Sequence, residues 1–97
     1  MLEAAPICVS VRMPLHVVVR SFVTETVLMD VATARYFSLD RASGAMLAAL
    51  DEHGSVAEAA RALVAGGWGP GGEVEGDLSE LVRELEELGL LEVEIAA

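Results

Sequence analysis

The chain is 97 residues long, 54% hydrophobic, and carries a net charge of −10 from sixteen acids against six basic residues, all arginine. That length holds one domain with one core, and the apolar share excludes a disordered chain despite the charge. So acidic a surface repels phosphate, which excludes nucleic acid and anionic membranes as partners and leaves basic or apolar peptides.

The opening MLEAAPICVSVRMP lacks the basic start and long apolar block of a signal peptide. No apolar run approaches the roughly 20 residues of a membrane helix. A cytoplasmic location is the resulting expectation. Cys8, the single cysteine, has no internal disulfide partner, and with the two scattered histidines it makes no metal site. It reads as a small hydrophobe on a strand.

Residues Ile7 to Val11 alternate apolar with small, as a half-buried strand does. Arg12-Met13-Pro14 interrupts, and Met13 is an alternative start to Met1. Val17 to Phe22 is β-branched and is the first firm strand. Thr24 to Val31 is the next, with Val27, Met29 and Val31 on one face and Leu28 and Asp30 on the other. Ala32-Thr33-Ala34 is a turn without the usual glycine or asparagine. Arg35 to Leu39 returns, with Arg35, Phe37 and Leu39 on one face and Tyr36 and Ser38 on the other. Everything upstream of this hairpin reads as further strand for it, and Asp30 and Arg35 are placed to pair across it.

Asp40 is an N-cap for a helix over Arg41 to Glu52, whose apolar face is Ala42, Ala45, Met46, Leu47, Ala49 and Leu50, with Gly54 as the stop. Ser55-Val56-Ala57-Glu58 is a capping box opening a second helix to about Ala65, with Val56, Ala60, Leu63 and Val64 inward. The two helices abut, as in a helix-turn-helix. Gly66 to Gly72 is a loop in which Trp68 either docks a partner or rests on its own domain. A third helix spans about Glu73 to Leu88, with Val74, Leu78, Leu81, Val82, Leu85 and Leu88 at the helical period and Gly89 ending it. Leu90 to Ile95 alternates again as a short closing strand, with Glu92 and Glu94 facing water. The organisation is an N-terminal extension (1–15) with a possible extra strand, a domain over 16–91, and a short C-terminal strand or tail (92–97).

No catalytic constellation is present. His16 and His53 have no serine or cysteine brought near them, the acid pairs are helical neighbours that point apart, and the glycines at 66–72 follow a helix and lack lysine. The chain reads as a non-enzyme without catalytic residues, cofactor or metal. Strands followed by three helices suggest a winged helix-turn-helix-like α+β fold, a three-stranded antiparallel sheet followed by three helices. Most such domains bind DNA, but these helices carry acids where a DNA reader carries basic contacts to phosphate, so DNA is rejected.

Val27-Leu28-Met29-Asp30 and Arg35-Tyr36-Phe37-Ser38-Leu39-Asp40 resemble the "LLD…tGryf.LN" pattern of the PqqD-like family, the leader-binding domains called RiPP recognition elements. The resemblance runs on through Ser43-Gly44-Ala45, Ser55-Val56-Ala57-Glu58 and Asp77-Leu78…Leu81…Leu85…Gly89-Leu90-Leu91, about residues 16–91. The family's turn glycine is Ala34 here, and its asparagine before the first helix is Asp40, which keeps the capping role. The resemblance is strongest to the stand-alone protein of lasso-peptide pathways. It implies that the leader segment of a ribosomally made precursor adds as a strand to the hairpin's second strand, in a groove against the third helix. The expected peptide-binding residues are Arg35, Tyr36, Phe37, Ser38, Leu39, Val74, Asp77, Leu78, Leu81, Val82 and Leu85, two or three of the leucines touching the peptide and the rest being core. Asp77, Glu80 and Glu84 would meet a basic leader residue. The implied partners are the leader peptide, a transglutaminase-like leader peptidase and the cyclase, with the chain a monomer or weak homodimer. The alternatives are a PqqD-type peptide chaperone for a radical enzyme and a homodimerisation module using the same sheet edge.

Overall fold

The structure, a computed structural model, describes residues 8–96. Five strands and three helices follow in the order β1 (Cys8–Arg12), β2 (Val17–Ser21), β3 (Glu25–Asp30), β4 (Arg35–Asp40), α1 (Arg41–His53), α2 (Val56–Ala65), α3 (Gly71–Glu87) and β5 (Glu92–Ala96). Strands β2, β3 and β4 form an antiparallel sheet in that spatial order, and β1 pairs antiparallel with β5 in a separate ribbon. The α+β architecture of a three-stranded sheet followed by three helices is therefore the one the sequence indicates.

The ribbon is a correction. Only β2 joins the hairpin; Cys8–Arg12 does not, and Ile7, where that strand was expected to begin, lies outside the described residues. The chain turns at Pro14, whose carbonyl accepts the Val17 N–H at 3.1 Å. This turn separates β1 from the hairpin and leaves it to the C-terminal strand. Val11 is buried, and Arg12 stands opposite Glu92 with its Nε 3.0 Å from the carboxylate.

In the sheet, period two decides the faces. Thr26, Leu28 and Asp30 of β3 are buried against the helices, while Val27 and Met29 are half-buried on the outer side. The register puts Val19, Leu28 and Phe37 in one inner row and Val18, Met29 and Tyr36 in one outer row. The tight turn is held by Asp30, whose Oδ1 accepts the N–H groups of Ala32 (3.0 Å) and Thr33 (3.3 Å). Asp30 and Arg35 are in register but form no ion pair, because the carboxylate is spent on the turn and the Arg35 guanidinium lies over the Phe37 ring, 5.0 Å from its centroid. Ala34 takes φ 59°, the left-handed conformation for which the family uses glycine.

Helix α1 starts where the cap analysis places it, with the Asp40 carboxylate accepting the Ser43 N–H at 2.8 Å. The Ser43 hydrogen bonds hold the Asp40 carboxyl below its usual range, so the charged cap is present at neutral pH and is lost as pH falls through that lowered value. Its buried face is Gly44, Leu47 and Leu50, whereas Ala42, expected inward, is exposed. A Cβ on Gly44 would lie 2.3 Å from the Thr26 hydroxyl oxygen, so glycine is what lets the helix rest directly on β3. Gly54 at φ 73° ends α1, and Ser55 Oγ accepts the Glu58 N–H at 3.2 Å to open α2. Only that half of the capping box forms, since the Glu58 carboxylate pairs with Arg61 instead.

Helix α2 buries Val56, Ala59, Ala60 and Leu63, the i, i+3, i+4, i+7 set; Val64, expected inward, is on the exposed flank. Helix α3 begins two residues before its expected start, taking Gly71 and Gly72 into its first turn, because Pro70 sets the helix entry and its carbonyl accepts the Val74 N–H at 3.0 Å. It ends in a Schellman motif: the Gly89 N–H reaches Glu86 O at 3.0 Å, the Leu90 N–H reaches Leu85 O at 2.8 Å, and Leu85 and Leu90 are both buried.

Two measurements test these contacts. Ala34→Gly relieves the left-handed strain at the cost of a freer unfolded chain, and will raise unfolding stability by roughly 0.5–1 kcal/mol in urea titration. Gly44→Ala will lower it by about 1–3 kcal/mol through overpacking, and Thr26→Ala in the same chain will recover part of that loss.

Candidate functional site

The exposed edge of β4 follows from the ladder. The Phe22 N–H donates to Glu25 O and the Val31 N–H to His16 O, both at 2.8 Å. With the observed register, the even residues of β2 therefore bond to the odd residues of β3. By alternation Thr26, Leu28 and Asp30 bond to Leu39, Phe37 and Arg35. The backbone N–H and C=O of Tyr36 and Ser38 are left pointing away from the sheet, and among the described residues no strand pairs with them.

The side chains along this edge separate by face. Phe37 and Leu39 are half-buried and pack against the core from the inner side, as Met46 of α1 does. Tyr36 is 70% exposed on the outer side, and the Ser38 hydroxyl donates to the Glu25 carboxylate at 2.7 Å. The two aromatic rings thus lie on opposite faces of the sheet, as the strand period requires. The outer face carries the half-buried Val18, Val27 and Met29 and the exposed Tyr36, together with Arg20 and Glu25.

Beyond the C-terminal end of β4, a cleft of about 190 Å³ lies between the start of α1 and the middle of α3. Ser43 and Met46 line one wall, and Asp77, Glu80, Leu81 and Glu84 line the other. Of the α3 residues expected in the site, Asp77 is exposed there and Leu81 forms part of the wall while mostly buried. Val74, Leu78, Val82 and Leu85 are buried in the core. Ser43 and Met46 are absent from the sequence-derived set. Their signal was available, because residues three apart just after a capped helix start share a face.

Charge divides the molecule. Residues 17–40 hold two arginines and three acids, whereas from residue 41 onward twelve acids stand against three arginines. The sheet therefore carries a net charge of only −1, and the rest of the chain that follows it carries most of the negative charge. No helix of the described residues is long and apolar enough to cross a membrane.

An open strand edge on a small sheet, with an acidic cleft between α1 and α3, is an arrangement that takes an extended peptide by strand addition. The family model described as coenzyme PQQ synthesis protein D (PqqD) matches residues 25–91, and the chain belongs to this family of PqqD-like recognition elements. No curated protein matches the chain. Among solved structures, it is similar to TbiB1 in complex with the TbiA(beta) leader peptide, at 30% identity and TM-score 0.75, over 84% of this chain and 94% of that one. It also shares its fold with a lasso peptide synthetase B1 complexed with the leader peptide, at 23% identity and TM-score 0.75, over 86% and 98% of the two chains.

The edge assignment has a direct test. In amide hydrogen exchange of the free protein, Tyr36 and Ser38 will exchange fast while Phe37, between them, is protected by its ladder bond. Equal protection of all three would contradict an open β4 edge.

Proposed function

We propose that this chain is a non-catalytic carrier that captures the leader segment of a ribosomally synthesised precursor peptide and presents it to the leader peptidase and cyclase of a lasso-peptide pathway. The observation that carries the reading is the open β4 edge, with the Tyr36 and Ser38 backbone groups facing away from the sheet. An extended peptide added there gains main-chain hydrogen bonds from β4, and its alternate side chains meet either the inner row of Arg35, Phe37 and Leu39 or the outer row of Tyr36 and Ser38. At the cleft, Met46 and Leu81 offer apolar contact, while Asp77, Glu80 and Glu84 favour a basic residue. Of the buried α3 residues, Val74, Leu78, Val82 and Leu85 support the peptide by holding the helix in place, and Leu81 is the one that reaches it. The relative at 30% identity supports this reading, since its structure is of a complex with a leader peptide.

The family description favours a second reading, a peptide chaperone in quinone-cofactor synthesis. The two readings share the β4 site and differ in the enzyme that follows. Binding of the neighbouring pathway's precursor distinguishes them, as does a test for a leader-independent dimer through the same edge.

A fluorescently labelled leader peptide will bind saturably, one per chain. Ser38→Pro removes one outward N–H without touching the β3–β4 ladder, and will weaken binding about tenfold, the equivalent of roughly 1.4 kcal/mol. Arg35→Glu and Glu84→Arg will weaken it by smaller factors, with the folded spectrum unchanged. Absence of saturable binding, or wild-type affinity in both Ser38→Pro and Arg35→Glu, rejects the proposal.

A further inference from the structure

The sheet has a second open edge. By the same alternation, Val17, Val19 and Ser21 turn their N–H and C=O groups away from β3. Among the described residues only the Val17 N–H has a backbone acceptor on that side, Pro14 O. Strand β2 contains no proline, and its one charge, Arg20, lies in the outer row with Val27 and Ser38. It therefore lacks the inward charge or proline that blunts an exposed strand edge.

Beneath this edge the described residues leave a cleft on the inner face, with Met13 at its border. This cleft, of about 390 Å³, separates Val19 and Ser21 from the second half of α1, where Leu47, Ala48, Asp51 and Glu52 form the facing wall. Val19 stays 37% exposed although its row neighbour Leu28 is fully buried. The far wall is negative, with two carboxylates at the C-terminal end of α1, where the helix dipole adds to them. His53, 3.2 Å from the Glu52 carboxylate, is the basic group beside them.

We propose that the β2 edge is a second strand-addition site, which takes an extended apolar segment of the partner enzyme with an arginine or lysine directed at Asp51 and Glu52. The preceding reading enters only in naming the enzyme as the source. A second copy of this chain fits poorly. Two β2 strands paired antiparallel in one sheet place both α1 helices on the same side, with Asp51 and Glu52 of each facing the junction and both Arg20 residues on the opposite face. The precursor also fits poorly. Strands added to the two edges of a three-stranded sheet lie about 19 Å apart, so a precursor on both would loop across the sheet and tie up the segment to be cleaved. An enzyme strand at β2 leaves the leader on β4 free to reach the catalytic site, and the acidic wall selects its basic residue.

The test uses the full chain saturated with leader peptide, to which the leader peptidase of the same pathway is added. Amide exchange followed by NMR will slow at Val19 and Ser21 by at least tenfold on adding the enzyme. Ser21→Pro, whose lost N–H is outside the β2–β3 ladder, and Asp51→Arg combined with Glu52→Arg will each weaken enzyme binding tenfold or more and leave leader affinity unchanged. The proposal is overturned if the enzyme binds while both amides exchange as in its absence, or if folded Ser21→Pro binds it within twofold of wild type. Absence of any enzyme binding also overturns it. The leader titration on the same sample then shows whether leader recognition stands without it.

Discussion

Leu28, at the centre of the middle strand and without exposed surface, is the residue on which the arrangement turns. Strand period two makes one decision there propagate across the sheet. With Leu28 inward, its row partners Val19 and Phe37 are inward, and Met29 with Tyr36 are outward. The same alternation directs the backbone of Tyr36 and Ser38 into solvent. A slip of one residue between β3 and β4 would bury Tyr36 and present different amides. The hydrophobic burial of one leucine thereby sets which groups of a distant edge are free to bind.

Local devices then hold the rest in place around that register. The Asp30 carboxylate closes the β3–β4 turn, and the Asp40 carboxylate starts α1 where β4 stops, so strand and helix join without a loop. Gly44 lets α1 lie against Thr26, so that Met46, like Phe37 and Leu39, packs against the core, and α1 forms one wall of the cleft. At the other end of the fold, the Schellman motif at Gly89 turns the chain from α3, and the His16 ring Nε2 lies 3.1 Å from the Gly89 carbonyl oxygen, linking that turn to the start of β2.

Charge is segregated on the same frame. The sheet, with a net charge of only −1, can meet apolar protein surfaces at close range, whereas the acidic helices attract basic side chains. The cleft beside β2 has Asp51 and Glu52 of α1 in its lining, and the cleft between α1 and α3 has Asp77, Glu80 and Glu84.

Period, caps and turn residues made most of this legible in the sequence. They marked the alternation of β3 and β4, the Asp40 and Ser55 caps, the apolar stripe of α3 and the stop at Gly89, because each depends on neighbours within a few residues. The sequence by itself thus determined the element order, the sheet of the hairpin and the acidic helices, and the family resemblance pointed to the edge of β4. Only the tertiary structure decided that β1 leaves the hairpin for β5, that Asp30 serves the turn rather than Arg35, that Ser43 and Met46 join Leu81 at the cleft, and that a cleft lies beneath the β2 edge. Those outcomes depend on which distant groups compete for the same partner, and a competition between residues far apart in the chain is settled only once the chain is folded.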